Sequence, residues 1–251
     1  MKKFFALFVG VASLLTACNN DESSNATPDP GSLNLVFENV VDGAPLAMTP
    51  TTYTNSSNET YTVNELKYII SNITLIKADN TTYIYPVEDS YFLINEDGSK
   101  TANLSNIPAD TYKGITFGFG VDPTKYPIES GTLNFIPLAE EAGMLWTWSA
   151  GYKFLKFEGT YTSAAVTDDP FLYHVGSHGA NLDNYKEVTL SLNEFQINSE
   201  NTASKTIQFD IAKIFDSVHT LSLEEKDEIQ VDPVNAPKIA ENTRTAFSIN
   251  E

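Results

Sequence analysis

Thiols are nearly absent from this sequence of 251 residues, which contains a single cysteine, Cys18. A lone cysteine cannot form an intramolecular disulfide. Because Cys18 is the only cysteine, the chain that follows it has no thiol for catalysis, disulfide formation or thiolate metal binding. Any metal site there must use histidine, carboxylate, methionine or an unusual ligand.

Basic residues are also scarce, since 15 Lys and Arg stand against 33 Asp and Glu. Removal of residues 1–17 takes away Lys2 and Lys3, which leaves 13 basic and 33 acidic residues and a net charge of about −20. Such a charge repels nucleic acid and anionic lipid headgroups. We therefore expect no nucleic-acid partner and no membrane binding through a basic patch.

The motifs of common enzyme classes are missing. The sequence has no Gly-x-Ser-x-Gly and no His-Glu-x-x-His, and GFGVDP contains only a lone Gly-x-Gly where a phosphate loop would need more. Asp168 and Asp169 precede Pro170, a pattern that favours a turn over an acid–base pair. We expect a protein that is not an enzyme.

The N-terminus has the pattern of a secretory signal peptide, which we place at residues 1–17. Lys2 and Lys3 precede the apolar run FFALFVGVASLL, which at 12 residues is too short to span a bilayer. The following LTAC resembles a bacterial lipobox and predicts lipidation of Cys18. The alternative is an ordinary cleaved signal with an incidental thiol.

Residues 18–31 are polar, rich in Asn, Ser, Pro and acid, and without apolar periodicity. They predict a disordered tether after the lipidated cysteine. Asp21 and Glu22 resemble the acidic signal that sends some Bacteroidetes lipoproteins to the cell surface. We expect a protein of the cell envelope that is lipid-anchored to the outer membrane.

Strand patterns dominate from Leu33 onward, with alternating apolar residues in LNLVF, EVTLSLNEFQI and KTIQFDI. Helical patterns are few and short, at residues 211–218, 222–229 and 236–243. Many strands without regular strand–helix alternation predict an all-β fold, an antiparallel β-sandwich with a few short helices near the C-terminus. We expect residues 32–251 to form this single domain.

Two of the three histidines lie close together in FLYHVGSHGAN, residues 171–181. The alternation there places His174 on a strand, and glycines release the chain into a loop that carries His178. A histidine at a strand end beside a glycine loop is a candidate metal ligand, although a core histidine with one hydrogen bond is the simpler interpretation. We expect His219 at the surface.

Both tryptophans lie in GMLWTWSAGYKFLKFEG, residues 143–159. In a strand, Trp146 and Trp148 point to the same face, about 6.6 Å apart. Gly151 then marks a bend or bulge. Burial in the sandwich core is the simplest interpretation, and an aromatic patch for carbohydrate, with Tyr152 as a neighbour, is the alternative.

These pieces together resemble one family. LKYIISNI, IPADTYKGITFGFGVD, the tryptophan stretch and FLYHVG occur in the order typical of the MbnP family, copper-binding proteins encoded near methanobactin genes. The resemblance covers about residues 33–218. Its most specific element is Trp-x-Trp followed by Gly151, Tyr152 and, later, Glu158, and the Tyr-His-x-Gly around His174 supports it.

The resemblance implies that Trp146 or Trp148 is oxidised to kynurenine, which binds copper together with histidine. A diheme cytochrome c peroxidase-like partner, MbnH, is implied as the oxidant. An indole N–H is only a donor, whereas the aromatic amine of kynurenine has a lone pair. His174 matches the family histidine, His178 is added from proximity, and Met144 is either a soft ligand or core filler.

The chain has no histidine in its N-terminal half, which departs from a family site that draws on more than one histidine. The sequence therefore predicts an exported, lipid-anchored copper-binding protein of the MbnP type. The alternative is a non-enzymatic carbohydrate- or protein-binding surface lipoprotein that uses the aromatic patch. A copper or zinc enzyme is the weakest hypothesis, because three histidines offer few converging ligands.

Overall fold

The computed structural model describes residues 28–122, 136–146, 151–178 and 181–250, with only the backbone at Ile136 and Pro137. The predicted signal peptide, Cys18 and the tether up to residue 27 lie outside the described residues, as does Trp148. The first strand begins at Gly31, which is the last residue of the predicted tether. No helix within these described ranges is long and apolar enough to cross a membrane.

Within these ranges the chain forms fourteen strands and three α-helices. The strands are β1 Gly31–Val41, β2 Ala44–Pro45, β3 Tyr53–Thr54, β4 Thr60–Lys77, β5 Thr82–Ile84, β6 Tyr91–Asn95, β7 Thr101–Ile107, β8 Asp110–Phe119, β9 Lys153–Thr162, β10 Asp169–Gly176, β11 Lys186–Ile197, β12 Thr202–Asp210, β13 Glu228–Ile229 and β14 Phe247–Ile249. The helices are α1 Ile136–Glu141, α2 Ala212–Phe215 and α3 Asn235–Arg244, and a 3-10 turn covers Val87–Asp89.

The strands form two sheets, which confirms the predicted β-sandwich. The first sheet has the order β14-β12-β1-β2, with β7 also paired to β1. The second has the order β11-β8-β4-β9-β10-β13, with β3, β5 and β6 also paired to β4. Most pairs are antiparallel, but β12 runs parallel to β1 and β13 runs parallel to β10. Strands from the two ends of the domain therefore lie side by side in the first sheet.

Strand β4 organises the second sheet, because it is 18 residues long and serves two partners in succession. It pairs with β9 from Thr60 to Tyr68 and with β8 from Ile70 to Lys77. Asn72, at φ +50°, interrupts the second pairing with a bulge. The bulge lets one strand change its alternation of inward and outward side chains.

The core between the sheets is rich in aromatic rings packed with centroids 4.6–6.5 Å apart. One cluster consists of Phe37, Tyr68, Phe117, Phe209 and Phe247. A second consists of Tyr61, Phe157, Phe171, Tyr173 and Phe215. Full burial of each such side chain contributes roughly 1.5–3 kcal/mol. Because alternate residues of β10 point to this core, its remaining residues face the other side of the sheet.

The helices differ from the predictions in three places, while α3 confirms the helix predicted at 236–243. The helix predicted at 211–218 is reduced to the single turn α2. The helix predicted at 222–229 is wrong, because pairing with β10 recruits residues 228–229 as β13 and overrides local propensity. The sequence predicts no helix at α1, which precedes the tryptophans and so does not lie near the C-terminus.

Candidate metal centre

Residues 136–146, which we call the strap, consist of α1 and the turn that carries Trp146. The turn is a Schellman motif: the N–H of Gly143 donates to Glu140 O at 3.0 Å and the N–H of Met144 donates to Ala139 O at 2.7 Å. Gly143 has φ +70°, which glycine adopts without strain. Met144 and Ala139 are both fully buried, as the motif favours, and this interaction fixes the direction in which the chain leaves α1.

Two lysines of the second sheet hold the end of the strap. Lys67 Nζ donates to Ala142 O at 3.2 Å, and Lys153 Nζ donates to Gly143 O at 3.0 Å. Both carbonyls lie just after α1, and a cation near the C-terminal end of a helix is favourable. The backbone N–H of Lys153 also donates to Met144 O at 2.7 Å. The strap is therefore bound to β9 through both side chains and backbone.

The indole of Trp146 lies against glycine. The backbone N–H of Trp146 donates to Gly151 O at 3.3 Å, and the side chain of Trp146 is only 6% exposed. A Cβ on Gly176 would lie 2.6 Å from Cζ3 of the indole and 2.2 Å from the carbonyl oxygen of Tyr152. Glycine is therefore required at residue 176, because the indole and the Tyr152 carbonyl leave no space for a side chain.

The predicted strand through the tryptophans is not formed at Trp146. Only the preceding residue, Leu145, makes an isolated bridge, to Tyr152. The pairing of both indoles on one face stays a prediction, because Trp148 lies outside the described residues. Gly151 has φ +155° just before β9, and the bend or bulge predicted there stays a prediction.

The imidazole of His178 packs against the indole of Trp146, with ring centroids 4.5 Å apart and planes tilted by 45°. His178 lies in the predicted loop, where its N–H donates to Leu182 O at 2.9 Å. Burial lowers the pKa of His178 below its ordinary value of 6.5, so the ring stays neutral to lower pH than a free imidazole. Its Nε2 is buried and has no hydrogen-bond partner in the part of the chain that the structure describes.

His174 lies on β10 as predicted, is 8% exposed, and is oriented by a carboxylate. Its Nε2 is 2.7 Å from Glu158 Oε1. This hydrogen bond, helped by the charge of Lys156, lowers the pKa of Glu158 to about 2. An ionised carboxylate only accepts, so Nε2 carries the proton and Nδ1 holds the lone pair of the neutral ring. Nδ1 is buried, with no hydrogen-bond partner among the described residues.

Glu158 belongs to a row of ion pairs on the side of the sheet that faces away from the core. Lys156 contacts Glu158 at 3.2 Å and Glu65 at 2.5 Å, and Glu65 contacts Lys67 at 2.5 Å. This row begins at His174 and ends at Lys67, whose Nζ holds the strap. The same charges therefore orient the histidine and anchor the segment that carries Trp146.

The row of ion pairs could be predicted only in part from the sequence. Glu-x-Lys at residues 65–67 and Lys-x-Glu at residues 156–158 each place two opposite charges on one face of a strand. The contact between the two pairs depends on the register of β4 and β9, which brings Lys67 opposite Lys156. Of these residues only Glu158 is among the predicted site residues.

Two predicted site residues, Trp146 and His178, are in contact beside Gly176, and a third, His174, lies two residues before that glycine. His174 precedes it by two residues on the same face of β10, His178 follows it by two residues, and the ring of Trp146 lies over it. No group of three His, Cys, Asp or Glu side chains converges on one point within the described ranges. The two imidazoles therefore need a donor of another kind to complete a metal site.

The remaining predicted residues lie in the interior or elsewhere. Met144 and Tyr152 are fully buried, and burial raises the pKa of Tyr152 to about 12. Together with buried Trp146, they leave no open aromatic face for carbohydrate stacking among the described residues of the patch. His219 is half-buried, with Nε2 3.3 Å from Glu241 on α3.

Comparisons with known proteins identify the fold and the family of this chain. MbnP from Methylosinus trichosporium has a similar fold, with a TM-score of 0.57 and 14% sequence identity over 83% of this chain and 86% of that chain. A comparison with curated proteins found no match. Residues 30–234 match the sequence profile of the MbnP family, and since this is most of the chain, the protein belongs to the MbnP family.

Proposed function

We propose that this protein binds copper at a centre built by His174 and His178 beside Trp146. The observation that carries the proposal is the pair of buried imidazole nitrogens without partners, Nδ1 and Nε2, on the two sides of Gly176. Buried polar atoms are rarely left without a hydrogen-bond partner, and a bound ion would satisfy both nitrogens. Imidazole donors suit copper, which leads the affinity order of the divalent first-row metals.

Glu158 supports this role as a positioning residue. It holds the proton on Nε2 of His174 and so presents Nδ1 to an ion, the arrangement in which a carboxylate orients a metal-binding histidine. The ionised state of Glu158 also adds negative charge near a cation. The row of ion pairs through Lys156 limits its rotation.

We propose further that Trp146 is converted to kynurenine by a diheme peroxidase-like partner, MbnH. Two molecules of peroxide supply the two oxygen atoms that cleave the C2–C3 bond of the indole, and two molecules of water leave. Hydrolysis then releases C2 as formate, which leaves an aromatic amine and a ketone. The amine nitrogen has a lone pair that the indole N–H lacks. The 4.5 Å contact with His178 favours Trp146 as the modified residue.

The protein would bind or carry copper and would not catalyse turnover. It would do so in the cell envelope, held at the outer membrane through lipid on Cys18, for which the signal-like N-terminus and LTAC are the support. Replacement of Cys18 by alanine is expected to move the protein from the membrane fraction to the soluble fraction. Membrane retention of that variant would contradict the anchor.

Co-expression with a diheme peroxidase-like partner, followed by intact mass and peptide mapping, tests the chemistry. We expect one modified tryptophan at Trp146 and copper that survives dialysis. The Trp146→Phe variant should carry no modification and should retain less copper. Two unmodified tryptophans together with no retained copper would contradict the proposal, and modification at Trp148 would contradict the choice of residue.

A further inference from the structure

Glu65 faces outward because the alternation of β4 is interrupted just before it. Val63 is buried, so regular alternation would turn Glu65 toward the core as well. The register with β9 shifts between Val63 and Glu65, and after this bulge the buried residues are Leu66 and Tyr68. Bulges re-aim side chains and are frequent beside functional sites. This bulge brings Glu65 to the face of the sheet that carries His174.

The register of β4 and β9 places like charges directly opposite each other. Glu65 lies opposite Glu158, and Lys67 lies opposite Lys156. Such pairs are destabilising unless other contacts compensate them. Within the described ranges, the ion pair that joins the two strands is the diagonal contact between Glu65 Oε2 and Lys156 Nζ, at 2.5 Å.

The carboxylate of Glu65 is shared between two lysines. Oε1 contacts Lys67 Nζ and Oε2 contacts Lys156 Nζ, both at 2.5 Å. Burial alone would raise the pKa of Glu65, but hydrogen bonds from Lys156 and Lys67 outweigh it and hold the pKa below 4.5. The side chain is only 21% exposed, so salt screens these contacts less than on an open surface.

Each lysine leads to a different part of the proposed centre. Lys67 Nζ also donates to Ala142 O at 3.2 Å, at the end of α1 in the strap. Lys156 Nζ also contacts Glu158, at 3.2 Å, and Glu158 orients His174. The shared carboxylate between the two lysines therefore completes an unbroken series of contacts from the strap to the histidine.

We propose that Glu65 is a positioning residue that sets Trp146 and His174 relative to each other by holding the strap and the histidine through its two lysines. This inference rests on the proposed function and adds a residue to it. Without the shared carboxylate, the opposed charges of Lys67 and Lys156 would repel, and the two parts of the centre would be held independently.

Hydrogen exchange of the strap and competition titration with Cu²⁺, both on the full-length protein in detergent, test this role. Glu65→Gln is expected to speed exchange of the Gly143 and Met144 amides and to weaken Cu²⁺ binding, each by about threefold or more, because both lysines lose their charged partner. In a Trp148→Phe background, the fluorescence of Trp146 should shift. A change at only one of the two ends, or at neither, would overturn the inference.

Asp110→Asn is the matched control, because it removes the same charge. Its ion pair, with Lys77 at 2.9 Å, lies at the opposite end of β4 from Glu65. The control should leave strap exchange, fluorescence and Cu²⁺ affinity unchanged. Exchange in β1, in the other sheet, should be unchanged by Glu65→Gln. Faster exchange there as well would mean a general loosening of the fold and would also overturn the inference.

Substitution of Lys67 separates positioning from packing. Lys67→Arg keeps a cation that pairs with Glu65 and donates to Ala142 O, so it should behave like the unchanged protein. Lys67→Met keeps the apolar stem but loses both contacts, so it should reproduce the strap exchange and the fluorescence of Glu65→Gln. Equal behaviour of the Arg and Met variants would contradict the role.

The same measurements distinguish this inference from the function on which it rests. Specific Cu²⁺ binding that Glu65→Gln leaves unchanged overturns only the role of Glu65. Absence of specific Cu²⁺ binding by the unchanged protein overturns both.

Discussion

The two faces of β10 differ in how their side chains are satisfied. On the inner face, Phe171 and Tyr173 pack among aromatic rings, and the buried Tyr173 Oη donates to Lys226 O at 2.9 Å. On the outer face, His174 and the loop residues beyond Gly176 bury polar atoms that have no partner among the described residues. One strand therefore contributes to stability on one side and to the proposed copper centre on the other.

Because of this difference, substitutions can separate the contribution of β10 to stability from its proposed contribution to copper binding. Changes on the inner face should lower the free energy of unfolding and leave donor chemistry intact. Changes on the outer face should affect copper binding more than stability. The variants below are ordered by the expected effect on stability, from largest to smallest.

Phe157→Ala should cost about 3–5 kcal/mol of unfolding free energy, because it removes a fully buried ring from the second aromatic cluster. Urea denaturation followed by circular dichroism measures this change. A loss below about 1 kcal/mol would mean that the cluster repacks freely, contrary to its edge-to-face geometry.

Gly176→Ala should cost roughly 1–3 kcal/mol, because the new Cβ overlaps the backbone oxygen of Tyr152 and the ring of Trp146. The displaced indole should shift the tryptophan fluorescence, and Cu²⁺ binding should weaken. Gly43→Ala is a useful comparison, because nothing lies within 4 Å of its Cβ position. Its φ of +79° still adds backbone strain, so only the fluorescence and copper effects should be absent.

Glu59→Gln tests a buried polar group that is fully satisfied, in contrast to those around Gly176. Burial alone would raise the pKa of Glu59, but hydrogen bonds from Asn55, Ser222, Glu224 and Leu223 outweigh it and hold the pKa below 4.5. The substitution should cost about 1–3 kcal/mol at neutral pH, since glutamine brings an N–H toward these donors.

The sign of the pH dependence follows from this lowered pKa. A carboxylate with a lower pKa in the folded state stabilises the fold above its unfolded pKa and loses that contribution as pH falls through the folded pKa. The stability difference between the unchanged protein and Glu59→Gln should therefore shrink below about pH 4.5. A difference that grows on acidification would contradict the assignment. Urea titrations at a series of pH values measure it.

Gly143→Ala should cost about 1–2 kcal/mol, because φ +70° is unfavourable for alanine. Its Cβ would meet nothing closer than 4.0 Å, so the cost is confined to the backbone. Hydrogen exchange should show faster exchange in the strap and unchanged protection in β4. Uniformly faster exchange would mean that the strap is not a separate unit of the fold.

Glu158→Gln should change stability least, by less than about 1 kcal/mol, because its ion pairs are partly exposed. It should nevertheless weaken Cu²⁺ binding about 10–100-fold, as loss of a residue that orients a metal-binding histidine does. Glu241→Gln, beside His219, is the matched control and should leave copper affinity unchanged. Equal effects of both variants would reduce the role of Glu158 to net charge.

The sequence was sufficient for features that depend on local periodicity. Alternation along β10 places His174 on a strand, and the glycines place His178 in a loop, as observed. It was insufficient where distant strands meet: the contact of Glu158 with His174 requires the register of β9 with β10. The predicted helix at 222–229 failed for the same reason, because β13 forms only by pairing with β10.

The strap and the burial of Asn184 could not be predicted from sequence patterns, for other reasons. α1 has six residues, too few for a helical period to be recognised, although Gly143 is a typical residue after a helix end. Asn184 gives no signal of its own in the sequence, since a single asparagine in a loop belongs to no apolar period that would indicate burial. It is buried in the folded loop, where it is bonded to Gly176 O and Ser177 Oγ.

The central claim is that His174 and His178 bind one copper ion together. A competition titration of Cu²⁺ into the unchanged protein and the variants His174→Ala, His178→Ala and His219→Ala tests it most directly. The account predicts one Cu²⁺ per chain, a loss of at least about tenfold in affinity for each of the first two variants, and no change for His219→Ala. Unchanged affinity in either His174→Ala or His178→Ala would contradict it.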